Sequence, residues 1–327
     1  MLTANKFEKR EIEMKVLIPD SIPLELPNNN SEIEYITYSV SSNDFSAVQD
    51  AELLVLWLNT SENISAAVSQ LKNLKAVQSL AAGPDHLYEA GFAPHISLAS
   101  GRGLHDAPVA EHALALILAT VRNLDGLQRS QGKKYWDRET ISAQAAPESF
   151  QQFTLNGASI LIVGFGSIAS HLAPMLSALG ARVSGVAQSN GERDGYSVVA
   201  QSKMADPLSK ADVVISLVPY IPETEKLFDL QFFSGMKNSA VFINVGRGKT
   251  VDESALEEAL TQKIIRKAAV DVTFVEPLPA DSPLWSLENL IITPHISGGR
   301  PQNSSHLIAL NAERILNNQE VLNKVNR

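Results

Sequence analysis

The chain has 327 residues, 44% hydrophobic and 19% charged, with a formal net charge of −9 at pH 7. That size suits two domains with their own cores, and the acidic balance disfavours nucleic acid or an anionic membrane surface as a main partner. Cysteine is absent, which excludes disulfides, thiolate metal sites and a cysteine nucleophile and fits a reducing, cytoplasmic setting.

Residues 1–13 are charged, lack the apolar core of a signal peptide and read as a tail or upstream extension, with Met14 a second candidate start. Short β-branched runs follow at Lys15–Ile18, Ile33–Tyr38, Leu53–Leu58 and Ala76–Leu80, each trailed by turn or polar residues. This alternation predicts βαβ units and a parallel sheet. Residues 106–124 then read as one helix, with Pro108 suited to the first turn and no breaker before Gly126. Its apolar residues lie on every face, which predicts cover from another domain or subunit. The most apolar part, Ala113–Val121, is too short to span a bilayer.

A second βαβ series is predicted at Ser159–Val163, Arg182–Val186, Val213–Leu217, Val241–Val245, Ala268–Val272 and Leu290–Thr293, closed by a helix over about 302–317. The first of these strands runs straight into Gly164-Phe165-Gly166-Ser167-Ile168-Ala169, and an apolar helical stripe follows. In that context Gly164 makes the tight turn, Gly166 admits a pyrophosphate, and the helix start at Ser167 and Ile168 presents amide donors. A glycine turn without ligand is the alternative. Pro174 falls inside this helix and predicts a kink. At the end of the next strand, where an acid would hold the ribose 2′-OH, the sequence is Ala187-Gln188-Ser189-Asn190. No acid appears there before Glu192, and Arg193 is the one cation able to reach back.

Three later strand ends carry chemistry. Arg247 sits between glycines after one strand, Glu276 precedes a proline turn after the next, and His295 follows the last. Carboxyl ends of parallel strands line the ligand crevice, so all three face the cradled cofactor. A histidine supplies a proton near neutral pH, a carboxylate orients and charges it, and a guanidinium grips a carboxylate with two bonds. Taken singly, Arg247 also fits a structural loop arginine, Glu276 a solvated turn acid and His295 a capping residue. The other histidines show no metal-ligand spacing, so no metal site is expected; His86, His105 and His112 are given loop or interface roles. Trp136 reads as a core tryptophan, with a reach into the substrate cleft as the less favoured reading.

The segments 81–87 (AAGPDHL), 109–119 (VAEHALALILA), 163–169 (VGFGSIA), 218–228 (VPYIPETEKLF), 244–248 (NVGRG), 271–285 (DVTFVEPLPADSPLW) and 293–299 (TPHISGG), in this order, resemble the D-isomer-specific 2-hydroxyacid dehydrogenase family. That family includes phosphoglycerate dehydrogenases and glyoxylate/hydroxypyruvate reductases. The resemblance implies an α/β fold of two doubly wound parallel-sheet domains with a cleft between them. A flavodoxin-like substrate domain would take 1–105 and 300–327, and a Rossmann NAD(P)-binding domain 106–299. It implies His295 as acid/base, Glu276 as its orienting partner and Arg247 as the clamp on the substrate. Ala82 and Gly83 would cradle the substrate carboxylate. Cofactor contacts would come from Gly164, Gly166, Ser167 and Ile168, from Gln188 and Ser189, and from Pro219, Val245 and Asp271, the last at the nicotinamide amide.

The implied activity is reduction of a small 2-keto acid to a D-2-hydroxy acid, or the reverse. A nucleotide-sensing corepressor-like protein is the alternative, disfavoured because the chain ends at Arg327 without room for the appended segments of that branch. By the same reasoning the absence of a regulatory domain weakens assignment to serine synthesis. A homodimer through the 106–124 helix is expected, with no nucleic acid or membrane partner. The cofactor is NAD or NADP, with NADP favoured because the repelling acid is missing.

Overall fold

The computed structural model describes residues 12–27, 30–145 and 153–326; most of the 1–13 stretch lies outside them. The chain divides into two compact units, Met1–His105 with Arg300–Arg327, and Asp106–Gly299.

The first unit contains β1 (Met14–Pro19), β2 (Ile33–Tyr38), β3 (Leu53–Leu56), α1 (Ser61–Gln70), β4 (Ala76–Ser79), α2 (Asp85–Glu89) and β5 (Ser97–Ala99). All five strands are parallel, in the order β2-β1-β3-β4-β5. Alternate strand residues build two cores, with Val16, Ile18, Leu53 and Val55 in one and Leu17, Leu54, Leu56 and Val77 in the other. Strands buried on both faces read as unbroken apolar runs, which is why β3 is LLVL. β5 has only three residues and was not anticipated.

The second unit holds α3 (Asp106–Val121), α4 (Leu124–Gly132), α5 (Arg138–Ala145), β6 (Ser159–Val163), α6 (Ser167–Ala178), β7 (Arg182–Ala187), β8 (Gly191–Arg193), β9 (Tyr196–Ala200), α7 (Ala205–Lys210), β10 (Val213–Ser216), α8 (Leu230–Ser234), β11 (Val241–Asn244), α9 (Glu253–Thr261), β12 (Lys267–Val270) and β13 (Leu290–Ile292). α10 (Ser304–Leu316) returns to the first unit. Eight strands follow the order β13-β12-β11-β10-β6-β7-β9-β8. Only β8 runs antiparallel, forming an edge hairpin on the otherwise parallel sheet. The order in which strands are added reverses between the parallel neighbours β6 and β10, the switch point where a crevice opens beyond the strand ends.

One expectation changes here. The single helix over 106–124 ends at Val121, because Asn123 takes a left-handed conformation (φ 55°) and starts α4. α3 buries Val109, Ala110, Ala113, Leu116, Ile117, Thr120 and Val121 within its own unit, in the core shared with α6. α6 spans Ser167 to Ala178 and includes Pro174.

Candidate active site

β6 delivers the chain to Gly164, whose φ of 96° lies in the left-handed region, and a Cβ there would sit 2.8 Å from the Leu217 carbonyl carbon. The turn itself demands this glycine. Gly166 is different. Its φ of −114° and ψ of −157° suit any residue, and a Cβ would meet nothing within 4 Å. The protein's own packing gives no reason for glycine, whereas a pyrophosphate against the backbone does. No side chain caps α6 at Gly166, so the first-turn amides at Ser167 and Ile168 are not occupied by a cap. These residues fit a dinucleotide.

Beyond β7, Gln188 and Ser189 are exposed, but Asn190 is engaged, its Oδ1 accepting the Ala200 amide at 2.8 Å. Pro219 is exposed after β10, and its carbonyl accepts the Thr224 hydroxyl at 2.9 Å. Val245, expected as a cofactor contact, has its side chain buried in the sheet core, which leaves only its backbone for a ligand.

The catalytic candidates come from three consecutive strand ends. Past β11, Asn244 shapes the loop by accepting the Gly246 amide at 3.0 Å and donating to the Arg247 carbonyl at 3.2 Å. The Thr250 hydroxyl donates to the same carbonyl at 2.6 Å. A Cβ at Gly248 would fall 1.8 Å from the Thr273 carbonyl oxygen, so this loop lies flat on the segment that leads to Glu276. Past β12, Glu276 Oε1 accepts the Thr273 amide at 3.1 Å, and Oε2 lies 2.6 Å from His295 Nδ1. A carboxylate only accepts, so Nδ1 carries the hydrogen and Nε2 is left for a substrate. The His295 side chain is 48% exposed, which keeps Nε2 reachable.

The hydrogen bond that His295 donates to Glu276 holds the histidine above its ordinary value, against burial and the nearby Arg247 charge. Burial would raise Glu276, but the His295 bond, the Thr273 amide and the Arg247 charge outweigh it and keep the carboxyl below its usual range. Arg247 therefore acts electrostatically on both members of the pair.

Asp271, expected at the nicotinamide amide, is 1% exposed and serves the loop that carries His295. It accepts the Thr293 hydroxyl at 2.5 Å, the Ile296 amide at 3.0 Å and the Ser297 amide at 2.9 Å, while its own carbonyl accepts the His295 amide at 2.7 Å. Burial pushes its pKa up, and these donors together hold it down. His112 Nε2 stands 3.1 Å from the Thr293 hydroxyl, which already donates to Asp271, so His112 supplies the hydrogen of that contact. His112 and Thr293 were not read as site residues, because nothing local in either segment announces a partner 181 positions away.

In the first unit the loop after β4 is held by His105 Nε2 donating to the Leu80 carbonyl at 2.7 Å, by His86 at 2.8 Å from the Ser79 hydroxyl, and by the Gly101 amide on the Ala81 carbonyl at 2.7 Å. Ala82 is exposed at its tip and Gly83 half-buried. The expectation of a core tryptophan fails: Trp136 is 79% exposed, beside a groove of about 460 Å³ that Leu127, Lys134, Tyr135 and Ile141 also line. It lies in the turn between α4 and α5, which has no sheet to pack it against. Among the described residues no three His, Asp or Glu side chains group as metal ligands, and no helix is long and apolar enough to cross a membrane.

The model of the "D-isomer specific 2-hydroxyacid dehydrogenase, NAD binding domain" matches residues 114–297, more than half of the chain. The chain belongs to the D-isomer specific 2-hydroxyacid dehydrogenase family. The matched residues lie within the second unit, whose parallel sheet and glycine loop form this family's NAD-binding Rossmann domain. Among curated relatives, the chain is 29% identical over 314 residues to a D-3-phosphoglycerate dehydrogenase of Archaeoglobus fulgidus, covering 93% of this chain and 57% of that protein. It is 29% identical over 264 residues to a glyoxylate/hydroxypyruvate reductase B of Escherichia fergusonii, with 79% of each covered. The chain thus spans little more than half the length of the phosphoglycerate dehydrogenase it matches. A solved 2-hydroxyacid dehydrogenase family protein from Aeromonas salmonicida superposes with a TM-score of 0.80 at 27% identity, over 97% of this chain and 99% of that one. The fold of this family, two α/β domains with parallel sheets, is the fold of this protein.

Proposed function

We propose that the protein interconverts a small 2-keto acid and a D-2-hydroxy acid with a nicotinamide dinucleotide. The observation that carries this reading is the 2.6 Å contact between His295 Nδ1 and Glu276 Oε2. It leaves Nε2 exposed in the unit that bears the glycine loop.

When bound, the nicotinamide supplies or accepts the hydride at the substrate's second carbon. In the reducing direction His295 donates its Nε2 proton to the carbonyl oxygen, and the imidazole is left neutral. Glu276 keeps the ring in one tautomer and stabilises its charged form. Arg247 grips the substrate carboxylate and carbonyl and favours the charge that builds on oxygen as the hydride arrives. Asp271 and Thr293 hold the loop that aims His295. The exposed Ala82 and the adjacent Gly83 are the proposed amide donors to a substrate carboxylate. We further propose a homodimer formed through the outward side of α3, where Leu114 and Leu118 are only half-buried.

The test is a panel of glyoxylate, hydroxypyruvate, pyruvate, phenylpyruvate and phosphohydroxypyruvate with NADH and NADPH, for the wild type and His295→Ala. Turnover of at least one keto acid that collapses in the variant, with dinucleotide affinity retained, supports the reading. No turnover by the wild type, or undiminished kcat in the variant, overturns it.

A further inference from the structure

The sheet edge beside the glycine loop holds a feature that the catalytic reading does not use. β8 and β9 pair as a hairpin, with Arg193 opposite Tyr196. Its two turn residues, Asp194 and Gly195, have φ of 51° and 82°. Two successive positive φ values mark the tight turn whose twist matches a β-ribbon, so the position of Arg193 is set by the backbone. The hairpin is then fastened to α6. Asp194 Oδ2 accepts the Ser170 hydroxyl at 2.5 Å, and the Tyr196 and Ser177 hydroxyls are 3.1 Å apart. Arg193 Nη1 donates to the Phe165 carbonyl at 2.6 Å, on the residue between the two glycines of the loop.

We propose that Arg193 is the phosphate-selecting residue of the dinucleotide site, recognising the 2′-phosphate of a phosphorylated adenosine ribose. This rests on the dinucleotide reading of the glycine loop. One bond to Phe165 occupies one of the five N–H donors of a guanidinium and leaves four others for a ligand. The strand before it ends in exposed Gln188 and Ser189, so no carboxylate occupies the place that would bind a free 2′-OH and repel a phosphate. Glu192 alternates to the opposite side of the hairpin from Arg193, and Asp194 is turned to Ser170. A half-buried cation therefore stands against the glycine loop, with Asp194 engaged by Ser170 and Glu192 on the opposite side of the hairpin.

Calorimetric titration of the full chain with 2′,5′-ADP and with ADP tests this without any turnover. The wild type should bind 2′,5′-ADP more tightly. Arg193→Gln should weaken 2′,5′-ADP by roughly ten- to hundredfold, the range of one charge-assisted hydrogen bond, and leave ADP within about threefold. Arg193→Lys should retain part of the preference. Equal weakening of both ligands would mean that Arg193 serves the pyrophosphate or braces the loop, and would overturn the proposal. So would equal wild-type affinities, a result that needs no variant to fold. Binding of neither ligand by the wild type would instead overturn the dinucleotide reading itself.

Discussion

His295 Nδ1 and Glu276 Oε2 lie 2.6 Å apart, although their residues follow different strands and are 19 positions apart in the chain. The contact holds the histidine above its ordinary value and the carboxyl below its own. Each partner therefore stabilises the charged form of the other. In reduction the charged imidazole is the proton donor, so kcat/KM for a keto acid should be flat at low pH. It should then fall as pH rises through the elevated histidine value. Oxidation should show the mirror-image rise. Glu276→Gln removes the largest cause of the shift and should move both limbs to lower pH; initial rates across pH with one substrate pair check this. A profile unaffected by the variant would separate Glu276 from the titration. The same coupling stabilises the fold most between the unfolded carboxyl and unfolded histidine values; it fades as pH rises through the raised histidine value and as pH falls through the lowered carboxyl value. With both side chains more than a third exposed, it contributes well under about 1 kcal/mol.

Arg247→Lys keeps a positive charge but loses the planar fork. The expected result is a fall in kcat/KM for keto acids of roughly ten- to hundredfold, with dinucleotide Kd within about twofold of the wild type. Steady-state kinetics and a dinucleotide titration together read this out. Unchanged kinetics would put Arg247 outside the site.

Two glycines should respond in opposite ways to alanine. At Gly248 the added methyl would lie 1.8 Å from the Thr273 carbonyl oxygen, so overpacking should cost about 2–4 kcal/mol and lower Tm by several degrees. At Gly166 the methyl meets nothing, and Tm should hold while dinucleotide Kd rises by roughly tenfold or more, as it enters the space beside the loop. A Gly166→Ala protein that binds dinucleotide normally would show that the open space is not a ligand cradle.

Large apolar side chains remain exposed on α4, α5 and the turn between them: Leu124, Tyr135, Trp136 and Ile141. With the half-buried Leu114 and Leu118 of α3 they are the apolar side chains the proposed dimer would cover. Light scattering at micromolar concentration should give twice the chain mass of 35.4 kDa. A monomer there would refute the dimer.

The amino-acid sequence by itself determined the βαβ frame, the place of the glycine loop and the three strand ends bearing Arg247, Glu276 and His295. Those features are local: an unbroken apolar run such as Ile160–Val163 has one stable use, a strand covered on both faces, and a glycine after it marks the turn. Trp136 and the β8–β9 hairpin escaped the same reading, because segments of three to five residues are too short for a period to distinguish an edge strand from a loop. Asp271 was expected at the cofactor but not as the anchor of the His295 loop, and His112 was expected only in a loop or interface role. Only tertiary structure brings His112, Thr293 and Asp271 into one hydrogen-bonded line, and Arg193 onto the Phe165 carbonyl. Hydrogen-bond partners far apart in the chain are chosen by how strands and helices stack, and stacking is a property of the whole unit rather than of any window of residues.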